Sequence, residues 1–103
     1  MADSRLHFHP AARAEVLAAY DWYAERNNVA ADSFQTELEN AGRIIEREPE
    51  VFSQYLHGTR RFLLKHFPFS IIYRVQSDQI EIIAVAHQRR RPGYWMDRTR
   101  NSE

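Results

Sequence analysis

Two connections too short to cross a sheet constrain this chain more than any other feature. Three strand-like apolar runs, at 60–64, 69–75 and 79–86, are joined only by Lys65-His66-Phe67-Pro68 and Gln76-Ser77-Asp78. A parallel return needs a crossover of roughly a dozen residues or more, so these runs close as antiparallel hairpins. The result is a three-stranded meander. Alternation then assigns faces: Phe69, Ile71, Tyr73 and Val75 share one side, Ile80, Ile82, Ala84 and Ala86 do likewise, and Ile72, Ile83 and Val85 point the other way. The second face is therefore half apolar, with room for a partner on it.

Upstream the apolar spacing changes from two to helical. Residues 5–8 suit a short strand, which His9-Pro10 ends, because proline favours the first turn of a helix. A first helix is predicted over 11–26, with Val16, Leu17, Tyr20, Tyr23 and Ala24 on its inner face. Asn27-Asn28 makes a hinge, since Asn both ends one helix and caps the next. A second helix is predicted over 29–48, burying Phe34, Leu38, Ala41 and Ile45, and Pro49 stops it. The short link makes the two helices an antiparallel hairpin. Residues 50–59 read as an ordered loop anchored by Val51, Phe52, Tyr55 and Leu56. The expected fold is α+β: an N-terminal strand, a helix hairpin on one face, and the meander, in one four-stranded, mainly antiparallel sheet.

With 103 residues there is one core and one domain, 1–103. No cysteine is present, which excludes disulfides and thiolate metal sites, and His7, His9 and His57 have no spacing suited to zinc. No metal or cofactor is expected. Met1-Ala2-Asp3-Ser4 leads into no apolar signal region and no run is long enough for a membrane span, so the expected location is cytoplasmic. Asn101-Ser102-Glu103 is expected to fray. The formal net charge of zero divides unevenly. Residues 1–58 hold five arginines against ten acids, a balance of −5, and residues 59–103 hold nine Lys and Arg against four acids, a balance of +5. Clustered charge of one sign steers a polyanion or an acidic partner.

The basic half culminates after the last strand in His87-Gln88-Arg89-Arg90-Arg91-Pro92-Gly93-Tyr94-Trp95. Arginine clamps phosphate or carboxylate oxygens but cannot shuttle a proton, whereas histidine can. Pro92-Gly93 is a turn able to fold Tyr94 and Trp95 back onto the sheet, which leaves Trp95 two readings, a core plug or a stacking platform. His87 likewise is either a strand cap or a proton carrier. Arg90 is expected to face solvent, while Arg60, Arg61 and Arg74 extend the basic surface or pair with helix acids.

The chain resembles the RelE/ParE family of toxins from bacterial type II toxin–antitoxin modules. The resemblance is carried by Phe8-His9-Pro10-Ala11-Ala12, by Trp22-Tyr23, by Phe62 through Tyr73, and by Ile82 through His87 to Tyr94-Trp95. It implies growth arrest by one of two routes, ribosome-dependent cleavage of messenger RNA or poisoning of DNA gyrase, and neutralisation by a cognate antitoxin encoded beside it. The partners implied are thus that antitoxin and either the ribosome with its message or gyrase, with a homodimer also open to the exposed sheet edge. Arg89 and Arg91 occupy the place of the family's basic residues after the last strand, with His87 and Tyr94 as catalytic candidates. Arg60, Arg61, Lys65, Arg74 and Trp95 are candidates for contact with nucleic acid or target. Where ribonuclease members place a basic residue early in the middle strand this chain has Ser70, and its net charge is zero. Both departures favour a target other than RNA. A non-toxic binding domain on the same fold is a further reading.

Overall fold

The computed structural model describes residues 5–100, so the expectations for Met1–Ser4 and Asn101–Glu103 lie outside the described residues. Strand β1 (Leu6–Phe8) leads into helices α1 (Pro10–Ala24) and α2 (Asn28–Arg47), followed by β2 (Arg60–Leu63), β3 (Phe69–Gln76) and β4 (Gln79–His87). Short 3-10 turns lie at Leu56–Gly58 and Met96–Thr99. The sheet order is β1-β4-β3-β2. Both hairpins of the meander are antiparallel, as their short links require. β1 joins β4 in parallel, Leu6 opposite Ile80 and Phe8 opposite Ile82, because the helix hairpin between them is long enough to carry the chain back. The sheet is mixed.

Local chemistry starts both helices. The His9 side chain accepts from the Ala11 N–H at 3.0 Å with Pro10 in the first turn, and the Asn27 side chain accepts from the N–H groups of Val29 and Ala30. On α2 the predicted residues Phe34, Leu38, Ala41 and Ile45 are all buried. On α1 the inner face differs from the expectation. Ala12 and Ala19 are buried and Val16 and Tyr23 half-buried, while Leu17 stays 60% exposed. This helix is apolar on nearly every side, so spacing alone does not choose its face, and the alanines go inward where α1 meets β4.

One irregularity resets the sheet faces. Ile72 pairs with Ala84 but Tyr73 pairs with Ile82, leaving Ile83 as an extra residue in β4. Such a bulge shifts the alternation by one. Ile80 and Ile82 face the helices as expected, whereas Ile83, Ala84 and Ala86 face away and Val85 faces in. The second face is not left open to a partner as its half-apolar pattern suggested, for the chain's own Trp95 packs there with Ile72, Ile83, Ala84 and Ala86, flanked by Tyr55 and Tyr94. In the loop before β2, Phe52 and Tyr55 are half-buried but Val51 and Leu56 remain exposed, so two of the four expected anchors hold it.

Candidate functional site

β1 is only three residues long, so beyond Ile82 the outer edge of β4 has no strand beside it. Backbone groups there need other partners. The His9 N–H donates to the Ile82 carbonyl at 2.9 Å, and from there two side chains take over. Glu15, from α1, accepts the Val85 N–H at 2.9 Å, and Arg98, from the tail, donates to the Ile83 carbonyl at 3.0 Å. The two also pair with each other: Arg98 reaches both Glu15 oxygens, at 3.1 and 2.9 Å. The Tyr94 hydroxyl donates to Glu15 Oε2 at 2.7 Å. One carboxylate, 17% exposed, thus gathers helix, strand and tail.

Between Glu15's partners the tail makes a tight basic turn. The Gln88 N–H donates to the Pro68 carbonyl, and the Arg90 N–H to the His87 carbonyl. His87 Nδ1 accepts the Arg89 N–H at 3.0 Å, which makes the ring a cap of the turn and leaves Nε2 as its outward atom. Gly93, at φ +82°, turns the chain back as the Pro92-Gly93 pair predicts. Arg90 does not simply face solvent, since its guanidinium lies 3.8 Å from the centre of the Tyr94 ring. Tyr94 is held protonated: burial raises its pKa well above the usual phenol value, the hydrogen bond and charge of Glu15 raise it further, and Arg98 and Arg90 oppose this only in part.

The structure gathers part of the predicted set. Arg61, His87, Arg91, Tyr94 and Trp95 line one groove of about 320 Å³ on the tail side of the sheet, with Ser70 at its base. Arg89 lies exposed at the turn, and among the described residues neither its side chain nor that of Arg91 has a hydrogen-bond or ion partner. Trp95 is 2% exposed and packs as a core residue, so its ring presents no free face for stacking. Arg61 lies over the Tyr55 ring at 4.3 Å. Arg60 donates to the Phe52 carbonyl, and Arg74 is committed to Glu81 across the sheet and to the Thr99 carbonyl, so neither pairs with a helix acid. Lys65 is elsewhere, on the β2–β3 turn beside α2. The five histidines are dispersed: His7 bonds Gln79, His9 caps α1, His57 abuts Trp95, His66 pairs with Glu37 and His87 caps the turn.

Glu15 and Arg98 are the residues that sequence reasoning passed over. Glu15 reads as an ordinary solvent-side acid of α1 and Arg98 as the trailing charge of the tail. Their one sequence signal is weak, an acid on a helix with no basic residue four positions away to pair with.

A family model for the ParE toxin of type II toxin–antitoxin systems, parDE, matches residues 6–92, from β1 through the arginine turn. Tyr94, Trp95 and Arg98 lie beyond that match. Among solved structures, a chain of the "Chromosomal ParDE TA system from P. aeruginosa" is similar in fold, with a TM-score of 0.71 and 21% sequence identity over 80% of this chain and 92% of that one. No curated protein sequence matches. The fold, the order of its elements and the turn after β4 all fall within the matched span, and the chain belongs to the ParE toxin family of type II toxin–antitoxin systems.

Proposed function

We propose that this toxin arrests growth by binding DNA gyrase in the cytoplasm, with the basic turn as its contact, and does not cut RNA. As a type II toxin it has a cognate antitoxin that neutralises it. The choice of target rests on one observation above all: the Tyr94 hydroxyl is spent on Glu15 and its pKa is driven upward. Cleavage of RNA through its 2′-hydroxyl needs a base for that hydroxyl and an acid for the departing oxygen. With the phenol committed and His87 Nδ1 occupied by a backbone N–H, the groove offers arginines, which bind anions and transfer no protons, and a single imidazole atom, His87 Nε2, where cleavage needs both a base and an acid. Such a surface suits holding a partner.

The test adds the purified protein to a gyrase supercoiling reaction and, in parallel, to a coupled transcription–translation reaction. Inhibited supercoiling with intact message is expected. Cleaved message with supercoiling untouched would overturn the assignment and return the groove to ribonuclease chemistry.

A further inference from the structure

A cleft of about 440 Å³ opens between the outer side of α1 and the tail, lined by Ala18 and Ala19 and walled by Trp22, Tyr23, Phe69 and Tyr94. Arg89 and Arg91 do not line it, and neither does Arg61. Two observations give it an occupant. First, α1 exposes apolar residues on this side: Ala18 is exposed and Trp22 is 53% exposed, although Ala12, Val16, Ala19 and Tyr23 already serve the core, and the acid of α1 that lines the cleft, Glu15, is taken by Tyr94 and Arg98. A charged rim around an exposed apolar patch marks a protein contact. Second, two of the bounding rings carry a guanidinium at the same distance, Arg26 over Trp22 at 3.8 Å and Arg90 over Tyr94 at 3.8 Å. Arg26 spends an N–H on the Trp22 carbonyl at 2.7 Å and meets Glu25 only at 3.7 Å. Stacking uses the flat face of a guanidinium, and the remaining N–H groups at its edge are free to meet carboxylates.

We propose that the antitoxin anchors in this cleft, seating one branched or aromatic side chain against Ala18 and Ala19 and laying carboxylates on Arg26 and Arg90. This rests on the toxin reading and adds to it a place where neutralisation is held, apart from Arg89 and Arg91. The apolar lining and the two stacked cations call for an acidic segment with an apolar anchor, since burying a bare acid there would leave its charge poorly solvated.

The test compares wild type, Ala18→Trp, Arg26→Glu and the distant surface control Arg47→Glu, each expressed alone and with the antitoxin gene encoded beside the toxin. Ala18 is exposed, so tryptophan there fills the cleft without entering the core, and thermal melts monitored by circular dichroism verify that each variant folds. All four proteins are expected to arrest growth alone. Antitoxin should rescue wild type and Arg47→Glu fully, while its dissociation constant, by calorimetry, rises at least tenfold for Ala18→Trp and several-fold for Arg26→Glu. Equal neutralisation of all four would remove the cleft from antitoxin binding. A dimer of the toxin that Ala18→Trp dissolves, with neutralisation unchanged, would assign the cleft to a second copy and equally overturn the proposal. If wild type itself arrests nothing, the toxin reading falls first and the anchor with it; if wild type arrests and Ala18→Trp is neutralised normally, only the anchor falls.

Discussion

A carboxylate largely withdrawn from water needs hydrogen bonds to offset its lost hydration, and Glu15 receives them from Val85, Tyr94 and Arg98. That makes the Tyr94 hydroxyl a structural donor, and the two roles open to it separate cleanly. Tyr94→Phe keeps the ring under Arg90 and removes only the O–H. It should cost about 1.5–3 kcal/mol, the range for a hydrogen bond to a charged group, read from the denaturant midpoint, and growth arrest should survive. Loss of arrest in a folded Tyr94→Phe protein would make the phenol a proton donor in the chemistry instead. Arg89 and Arg91 are the opposite case. Their side chains hold nothing in the described fold, so Arg89→Ala with Arg91→Ala should leave the melting temperature nearly unchanged, relieve arrest, and keep antitoxin binding measurable by calorimetry. Full toxicity in the double variant would take the turn out of the mechanism. The arginines were visible in the sequence because they are contiguous. Glu15 was not, since its partner Arg98 stands 83 residues away and no local spacing announces such a pair.

Turns between strands are held by whatever lies beneath them, and under the β2–β3 turn lies Glu37 of α2. Its carboxylate accepts the N–H groups of Lys65 and His66 and meets the His66 ring at 2.9 Å. Burial pushes its pKa up, but the hydrogen bonds from the His66 ring and from both backbone N–H groups outweigh this, and the net shift is downward. A depressed carboxylate stabilises the fold above its unfolded value, near 4.5, and that contribution is lost as pH falls through the lower folded value. Glu37→Gln should therefore destabilise by about 1 kcal/mol at pH 7, modest because the His66 side of the contact is exposed, and the difference from wild type should close in urea titrations as pH falls through the folded value of Glu37, below 4.5. A gap that persists there would mean that the carboxylate acts by packing. At this scale the legibility of the fold follows the physics of each element. Helix α2 has one apolar stripe and a polar remainder, so Phe34, Leu38, Ala41 and Ile45 declare its face. Helix α1 carries apolar residues on nearly every side, and for that reason its spacing does not reveal that Leu17 faces out. The bulge at Ile83 adds a single residue to a run of uniformly apolar ones, and such a run looks the same with or without it.

The whole molecule is a sheet covered on both sides by one short chain, and the two covers are unequal. The helices bury Phe34, Ile45, Ile71, Tyr73, Ile80 and Ile82 on one face, while the other rests on a single large ring, Trp95, over Ile72, Ile83, Ala84 and Ala86. The tail that carries Trp95 is also tied down through Arg98 to Glu15, so the basic turn of residues 88–91 is anchored at both ends, by β4 on one side and by ring and clamp on the other. Removing the ring should expose the tail-side face and free the turn together. Trp95→Ala is expected to cost about 3–5 kcal/mol, the range for deleting a large aromatic from a packed site. Against a total of roughly 5–15 kcal/mol for a domain of this kind, that is a large share. The variant should melt far below wild type and bind a hydrophobic dye such as anilinonaphthalene sulfonate, and it should arrest growth poorly even where expressed at equal level. Trp95→Phe, which keeps an aromatic ring of smaller volume, should recover part of the stability and of the arrest. That graded recovery distinguishes packing from recognition: a ring that stacked on a target would lose arrest in Trp95→Ala with the melting temperature unmoved, and that outcome would put Trp95 back in the contact surface.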